Sequence, residues 1–97
     1  MNSVYSKSFL RTIRNQIPIN RVISIIFKLP CKHSDGYFRF LCPLCNEFNT
    51  ATKEQTNLAR CFLCQKNFNP IDLYMAALDS SFKDAVEALT PWLHHDW

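Results

Sequence analysis

The chain has 97 residues, is 47% apolar, and carries one glycine, five cysteines and a formal net charge of +3. That length allows one domain and not two, and the composition excludes a low-complexity chain. The longest apolar stretch, Val22 to Phe27, is interrupted by Ser24 and is too short to span a bilayer. Residues 1–20 hold no apolar signal segment, so the expectation is an intracellular protein with reduced thiols and no membrane partner.

Residues 1–34 carry Lys7, Arg11, Arg14, Arg21, Lys28 and Lys32 with no acid, whereas residues 71–97 set five acids against Lys83 alone. Such a gradient predicts one side that faces a polyanion and a solvated back; the plainer alternative is ordinary helices with charged, wet faces.

Phe9, Leu10, Ile13 and Ile17 recur at helical spacing and predict a short helix over 6–16. Residues 1–16 thus read as a basic amphipathic N-terminal segment ahead of a domain over 17–97. Its apolar side either extends the domain's own core or docks in a partner's groove, and its cations suit DNA. Pro18 breaks this helix or opens the next. Arg21 to Phe27 reads as a second helix, with Val22, Ile25 and Ile26 inward and Pro30 as its end.

Asp35-Gly36 is a turn signal, and Tyr37-Phe38-Arg39-Phe40-Leu41 is a strand by composition. The polar stretch from Asn46 to Asn57 predicts a strand and a turn, and Leu58 to Cys61 a return strand. Asn69-Pro70 is a strong helix start, with asparagine as N-cap and proline at the first helical position. Ile71, Tyr74, Met75 and Leu78 then form an apolar face. Ser81 and Asp84 resemble a capping box, and Phe82, Ala85, Val86 and Leu89 define a last helix that ends before Pro91. Trp92, Leu93 and Trp97 are expected to close over the core.

Cys42-x2-Cys45 and Cys61-x2-Cys64 are separated by fifteen residues. A two-residue gap lets both sulfurs of a pair reach one ion from a tight turn, and two pairs complete a tetrahedral thiolate shell. The expected cofactor is therefore one structural zinc ion held by Cys42, Cys45, Cys61 and Cys64. A redox Cys-x2-Cys pair normally stands alone in a βαβ unit, and an iron–sulfur cluster takes the same four thiolates. Cys31 is left as a packed or free thiol, His33 as a turn residue, and His94 and His95 as surface groups. The fold class that follows is α+β: a zinc ribbon, a small antiparallel sheet with two metal knuckles, packed against flanking short helices.

From Ile17 to Leu89 the chain resembles the zinc-binding domain of bacterial DnaG-type DNA primases and their relatives on mobile elements. Ile17-Pro18-Ile19 with Arg21-Val22 is similar to the family's leading helix. Gly36, Phe38 and Cys42-Pro43-Leu44-Cys45 resemble its first knuckle, and Cys61-Phe62-Leu63-Cys64 its second. Asn69 to Met75 and Ser81 to Leu89 resemble its two closing helices. Cys45 stands where the family usually has histidine. Gln65-Lys66-Asn67-Phe68 replaces a glycine-rich segment, and Asn49-Thr50-Ala51-Thr52 replaces a segment that helps form the family's template-contacting surface.

The resemblance implies a stand-alone module, bacterial or encoded by a phage or mobile element and cytoplasmic. It would bind single-stranded DNA and assist a primase, polymerase or helicase in trans. The acids form no constellation and the chain ends at Trp97, so the expectation is that it is not an enzyme and takes no small-molecule substrate. Cations on a ribbon track phosphates and aromatic rings stack on bases. The candidate contacts are Tyr37, Arg39, Lys53, Arg60, Phe62 and Lys66, with core packing as the alternative for Phe62. The rival function is a zinc-stabilised adaptor that docks on a replication or transcription protein without touching nucleic acid.

Overall fold

A computed structural model describes residues 5–95, which leaves the expectation for Trp97 outside the described residues. Ser6 starts the first helix, its hydroxyl accepting the Phe9 N–H at 3.0 Å. This helix, α1 (Lys7–Gln16), buries Ile13 completely and packs Phe9 and Leu10 at the core's edge, while Lys7 and Arg11 stay in water. Of the two readings of its apolar side, the structure takes the core.

The second helix begins at Ile19 rather than Arg21. Its first turn, α2 (Ile19–Arg21), runs into a wide π-type turn over Val22–Ile26, closed by the Phe27 N–H on the Val22 carbonyl at 3.0 Å. From that start, Ile19, Val22, Ile23 and Ile26 fall at i, i+3, i+4 and i+7, the spacing of one buried stripe. Ile19, Val22 and Ile23 are accordingly buried, and Ile25, expected inside, is exposed.

β1 (Cys31–Ser34) and β2 (Tyr37–Phe40) form a hairpin in which Cys31 pairs with Phe40 and Ser34 with Tyr37. Asp35 (φ 55°) and Gly36 (φ 80°) supply the two left-handed residues that a tight hairpin turn requires. β1 was not expected, and His33 is a strand residue rather than a turn residue. It pairs with Phe38, the rings meeting edge to face at 5.4 Å. Cys31 is an exposed free thiol.

β3 (Thr50–Lys53), β4 (Leu58–Cys61) and β5 (Lys66–Phe68) form a separate antiparallel sheet in that order. Side chains alternate across it. Thr50, Ala59, Cys61 and Phe68 are buried on one face, and Ala51, Lys53, Leu58, Arg60 and Asn67 share the other by register. The ribbon is thus two small sheets rather than one. Thr50 joins them: its hydroxyl accepts the Phe40 N–H at 2.8 Å and donates to the Phe40 carbonyl at 2.6 Å.

α3 (Pro70–Leu78) opens with a full capping box between Asn69 and Asp72. It lies between β5 on one side and α1 and α4 on the other, so it buries Ile71 and Leu73 on different flanks. Leu78, expected inside, is 56% exposed because the single stripe inferred from spacing is not the one this sandwiched helix uses. α4 (Phe82–Leu89) is capped by Ser81 and buries Ala85, Val86 and Leu89 as expected; a 3-10 turn over Thr90–His94 packs Trp92 and Leu93 on the core. Among the described residues no helix is long and apolar enough to cross a membrane.

Asn57, at the end of the β3–β4 turn, fastens the N-terminal helices to the ribbon. Its side-chain oxygen accepts the Ile19 N–H at 2.8 Å, and its amide nitrogen donates to the Arg14 and Ile17 carbonyls at 2.6 and 2.8 Å. Asn57 is buried and left-handed (φ 55°), which asparagine tolerates and alanine does not. Asn57→Ala leaves three backbone groups short of partners, and unpaired buried groups cost about 1–3 kcal/mol apiece before relaxation. We expect a loss of roughly 3 kcal/mol in urea unfolding of the zinc-loaded protein; a change under about 1 kcal/mol would contradict this role.

Candidate metal centre

Each Cys-x2-Cys knuckle is a tight turn held by its own backbone. In the first, between β2 and β3, the Asn46 N–H reaches the Cys42 carbonyl at 2.9 Å and the Cys42 N–H reaches the Glu47 carbonyl at 3.0 Å. In the second, between β4 and β5, the Cys64 N–H donates to the Cys61 sulfur at 3.3 Å. The residue after each pair, Asn46 (φ 60°) and Gln65 (φ 57°), adopts the left-handed conformation. Glycine takes that conformation without strain, and this chain uses none there. Glutamine carries a cost on the order of 1 kcal/mol that the closed turn must hold.

The two knuckles converge. Cys42 Sγ lies 3.9 Å from Cys64 Sγ, and Cys45 Sγ lies 3.6 Å from Cys61 Sγ. All four sulfurs fall within 4.8 Å of one another. A tetrahedron with Zn–S bonds of about 2.3 Å has sulfur–sulfur edges of about 3.8 Å, so these separations are those of a zinc-thiolate cage. A disulfide would need sulfurs about 2 Å apart. Cys42 and Cys61 are fully buried, and Cys45 and Cys64 half-buried. The four cysteines are therefore placed to hold one zinc ion with no open coordination position, which makes the site structural. Cys31 stands outside the group.

Three of the thiols are shifted from the ordinary thiol value. Burial pushes Cys64 up to about 12, reinforced by its hydrogen bonds to Cys61, Cys45 and Cys42. Burial also raises Cys45, against a backbone N–H from Glu47 that lowers it. Burial acts in the same sense on Cys61, but the Cys64 N–H and donation from the other three thiols outweigh it and leave Cys61 below its ordinary value. A bound ion displaces the thiol protons, so the ligands' effective pKa values fall on binding and affinity rises with pH.

Beside the cage, the open face of the β3–β4–β5 sheet and the end of the β1–β2 hairpin enclose a groove of about 730 Å³. It brings together four of the six expected contacts: Tyr37, Lys53, Arg60 and Phe62. Tyr37 and Phe62 are 53% and 48% exposed, so Phe62 is not a core residue. The Arg60 guanidinium sits over the Phe62 ring at 5.7 Å and donates to Asn67 at 3.2 Å.

The other two are placed differently. Arg39 stacks over Tyr37 at 5.3 Å, but its guanidinium donates to the Thr50 carbonyl at 2.8 Å and lies 3.9 Å from Asp35. It braces the two sheets. Lys66 pairs with Cys61, hence on the sheet face opposite Arg60, and lines a second depression with Leu44, Asp72, Met75 and Asp79. Sequence reasoning missed Asn20, Thr52 and Asn67 as groove residues. Asn67 shares the open face with Arg60 only through strand register, Thr52 lines the groove although it has the parity of the buried face, and Asn20 arrives from a helix distant in sequence.

A family model described as CHC2 zinc finger, the DnaG type of zinc ribbon, matches residues 5–97. The match includes the first helix as well as the ribbon. No curated protein matches the chain.

Purified protein is expected to contain one zinc per chain, unchanged in Cys31→Ser and lost in Cys61→Ser. Cys45→His should retain the ion, because zinc accepts a mixed cysteine and histidine shell. Zinc release to a chromogenic chelator should increase as pH falls from about 7.5 to about 5, the direction proton competition requires. Zinc retention independent of pH, or lost in Cys31→Ser, would contradict the assignment.

Proposed function

The chain belongs to the CHC2 zinc finger family of DnaG-type zinc-binding modules, and from that premise we propose that it binds single-stranded DNA and serves a replication apparatus in trans. The observation that carries this reading is the groove, which pairs two half-exposed aromatic rings, Tyr37 and Phe62, with the cations Lys53 and Arg60. Rings accept unstacked bases whatever their sequence, and cations beside them neutralise the phosphates between bases. A duplex keeps its bases stacked and offers the rings nothing, so single strands are the favoured ligand.

The chemistry of the thiolate cluster supports work on a catalytic partner. Among the described residues the group able to ligate a metal is the thiolate set, and a closed thiolate shell activates no water. Nucleotide polymerisation needs carboxylate-held metal ions. In this reading those are supplied by a primase or polymerase chain, with a helicase as the other candidate partner, and this protein is not itself an enzyme. A second reading, docking on a protein partner alone, draws on the depression lined by Leu44, Met75, Asp72 and Asp79, whose acids disfavour phosphate.

Fluorescence anisotropy with labelled oligonucleotides separates the two. Binding should favour single strands over duplex and weaken with salt, Lys53 and Arg60 contributing about −1.4 to the logarithmic slope. Tyr37→Ala and Phe62→Ala should each weaken binding by about 1–3 kcal/mol. Lys66→Ala should leave it nearly unchanged. A flat salt response, or full affinity in the Tyr37→Ala, Phe62→Ala double variant, would overturn the groove's role.

A further inference from the structure

The groove does not end at the ribbon. Asn20 of α2 contributes to its lining, next to Thr56 of the β3–β4 turn. The Asn20 side-chain oxygen is buried there and accepts no hydrogen bond from the protein. Two cationic residues flank this end of the groove in the fold: Arg21, exposed, follows Asn20, and the backbone carbonyl of the partly exposed Arg14 is held by Asn57, which follows Thr56.

This corner is rigid relative to the groove. Three hydrogen bonds of 2.6–2.8 Å from one buried side chain, Asn57, tie the end of α1 and the start of α2 to the turn that forms the groove's wall. Ile13, Ile17, Ile19 and Val22 anchor the same segment in the core with no exposure above 1%. The position of Arg14 and Arg21 beside the ribbon is thus built into the fold. No acid precedes Asp35 in the chain, and the groove's lining carries one, the exposed Glu54.

We propose that the α1–α2 corner is a second phosphate-binding station, continuous with the groove, on which Arg14 and Arg21 hold a single strand that leaves the ribbon past Asn20. The proposal rests on the single-strand reading above. A strand of a few nucleotides fills the groove alone, and a longer one reaches the corner. The polar Asn20 amide lies where the path crosses from one station to the other.

Oligonucleotide length separates the stations. Thymidine oligomers of about four and about sixteen nucleotides span the range of site sizes for small single-strand-binding modules. The zinc-loaded wild-type protein should bind the longer oligomer more tightly, beyond the statistical gain of extra registers, and with a steeper salt slope. Each single-strand phosphate neutralised contributes about 0.7 to that slope, so the Arg14→Ala, Arg21→Ala double variant should lose about 1.4. At about 0.1 M salt this is roughly 25-fold in affinity for the longer oligomer, fivefold for each contact.

The short oligomer should bind both proteins alike. Arg21→Ala alone, at an exposed position, should lose about half the slope change and keeps the test independent of any effect on α1. Lys83→Ala, on the acidic helix α4, is the charge control and should change nothing. Equal affinity of wild type and double variant for the longer oligomer, with short-oligomer binding intact, overturns the corner and leaves the groove standing. Failure of the wild type to bind either oligomer overturns both.

Discussion

Two Cys-x2-Cys turns meeting on one tetrahedron hold this structure together. The first knuckle closes β2 and the second joins β4 to β5, so the ion links the hairpin β1–β2 to the sheet β3–β4–β5. Without it the sheets are fastened by the Thr50 hydroxyl and the Arg39 guanidinium, with Phe40, Ala59 and Phe68 in the common core. Sheets of two and three short strands are marginal on their own. Structural zinc contributes on the order of 10 kcal/mol of apparent folding free energy at neutral pH, comparable with the whole stability of a small domain. The helices add a conventional core of Ile13, Ile17, Val22, Leu73, Val86 and Leu89, bound to the ribbon through Asn57.

The same constraint shapes the groove. Side chains alternate along a strand, so a cysteine that points to the metal sends its neighbours the other way. In β4 and the turn after it, Cys61 goes inward and Arg60 and Phe62 go outward, their side chains meeting at 5.7 Å. In β2, Phe40 and then Cys42 are buried, and Tyr37 and Arg39 share the opposite parity. Ligation and the aromatic, cationic surface are therefore two faces of one register. A slip by one residue in either strand would lose both.

Much of this was legible in the chain because the signals are local. Cysteine spacing, the Asp35-Gly36 turn, the Asn69-Pro70 start and the Ser81 cap each act over a few residues and each formed as read. What escaped depends on partners far away in sequence. β1 carries Lys32 and His33 in water and shows no apolar alternation; only its pairing with β2 makes it a strand. Leu73 is buried because α3 is covered on two sides, which a single helical stripe does not reveal. Asn57 looked like one more polar turn residue and proved to be the fastening between α1, α2 and the ribbon. The left-handed residues after each cysteine pair were hidden because asparagine and glutamine stand where glycine is usual.

Amide hydrogen exchange on the zinc-loaded and chelated protein addresses the metal's role most directly. If the thiolate cage organises the ribbon, removing zinc should abolish protection in β2 through β5, with the helical core retaining at least part of its own. Protection in β3, β4 and β5 that survives chelation unchanged would show that the sheets stand without the ion, and would contradict the account.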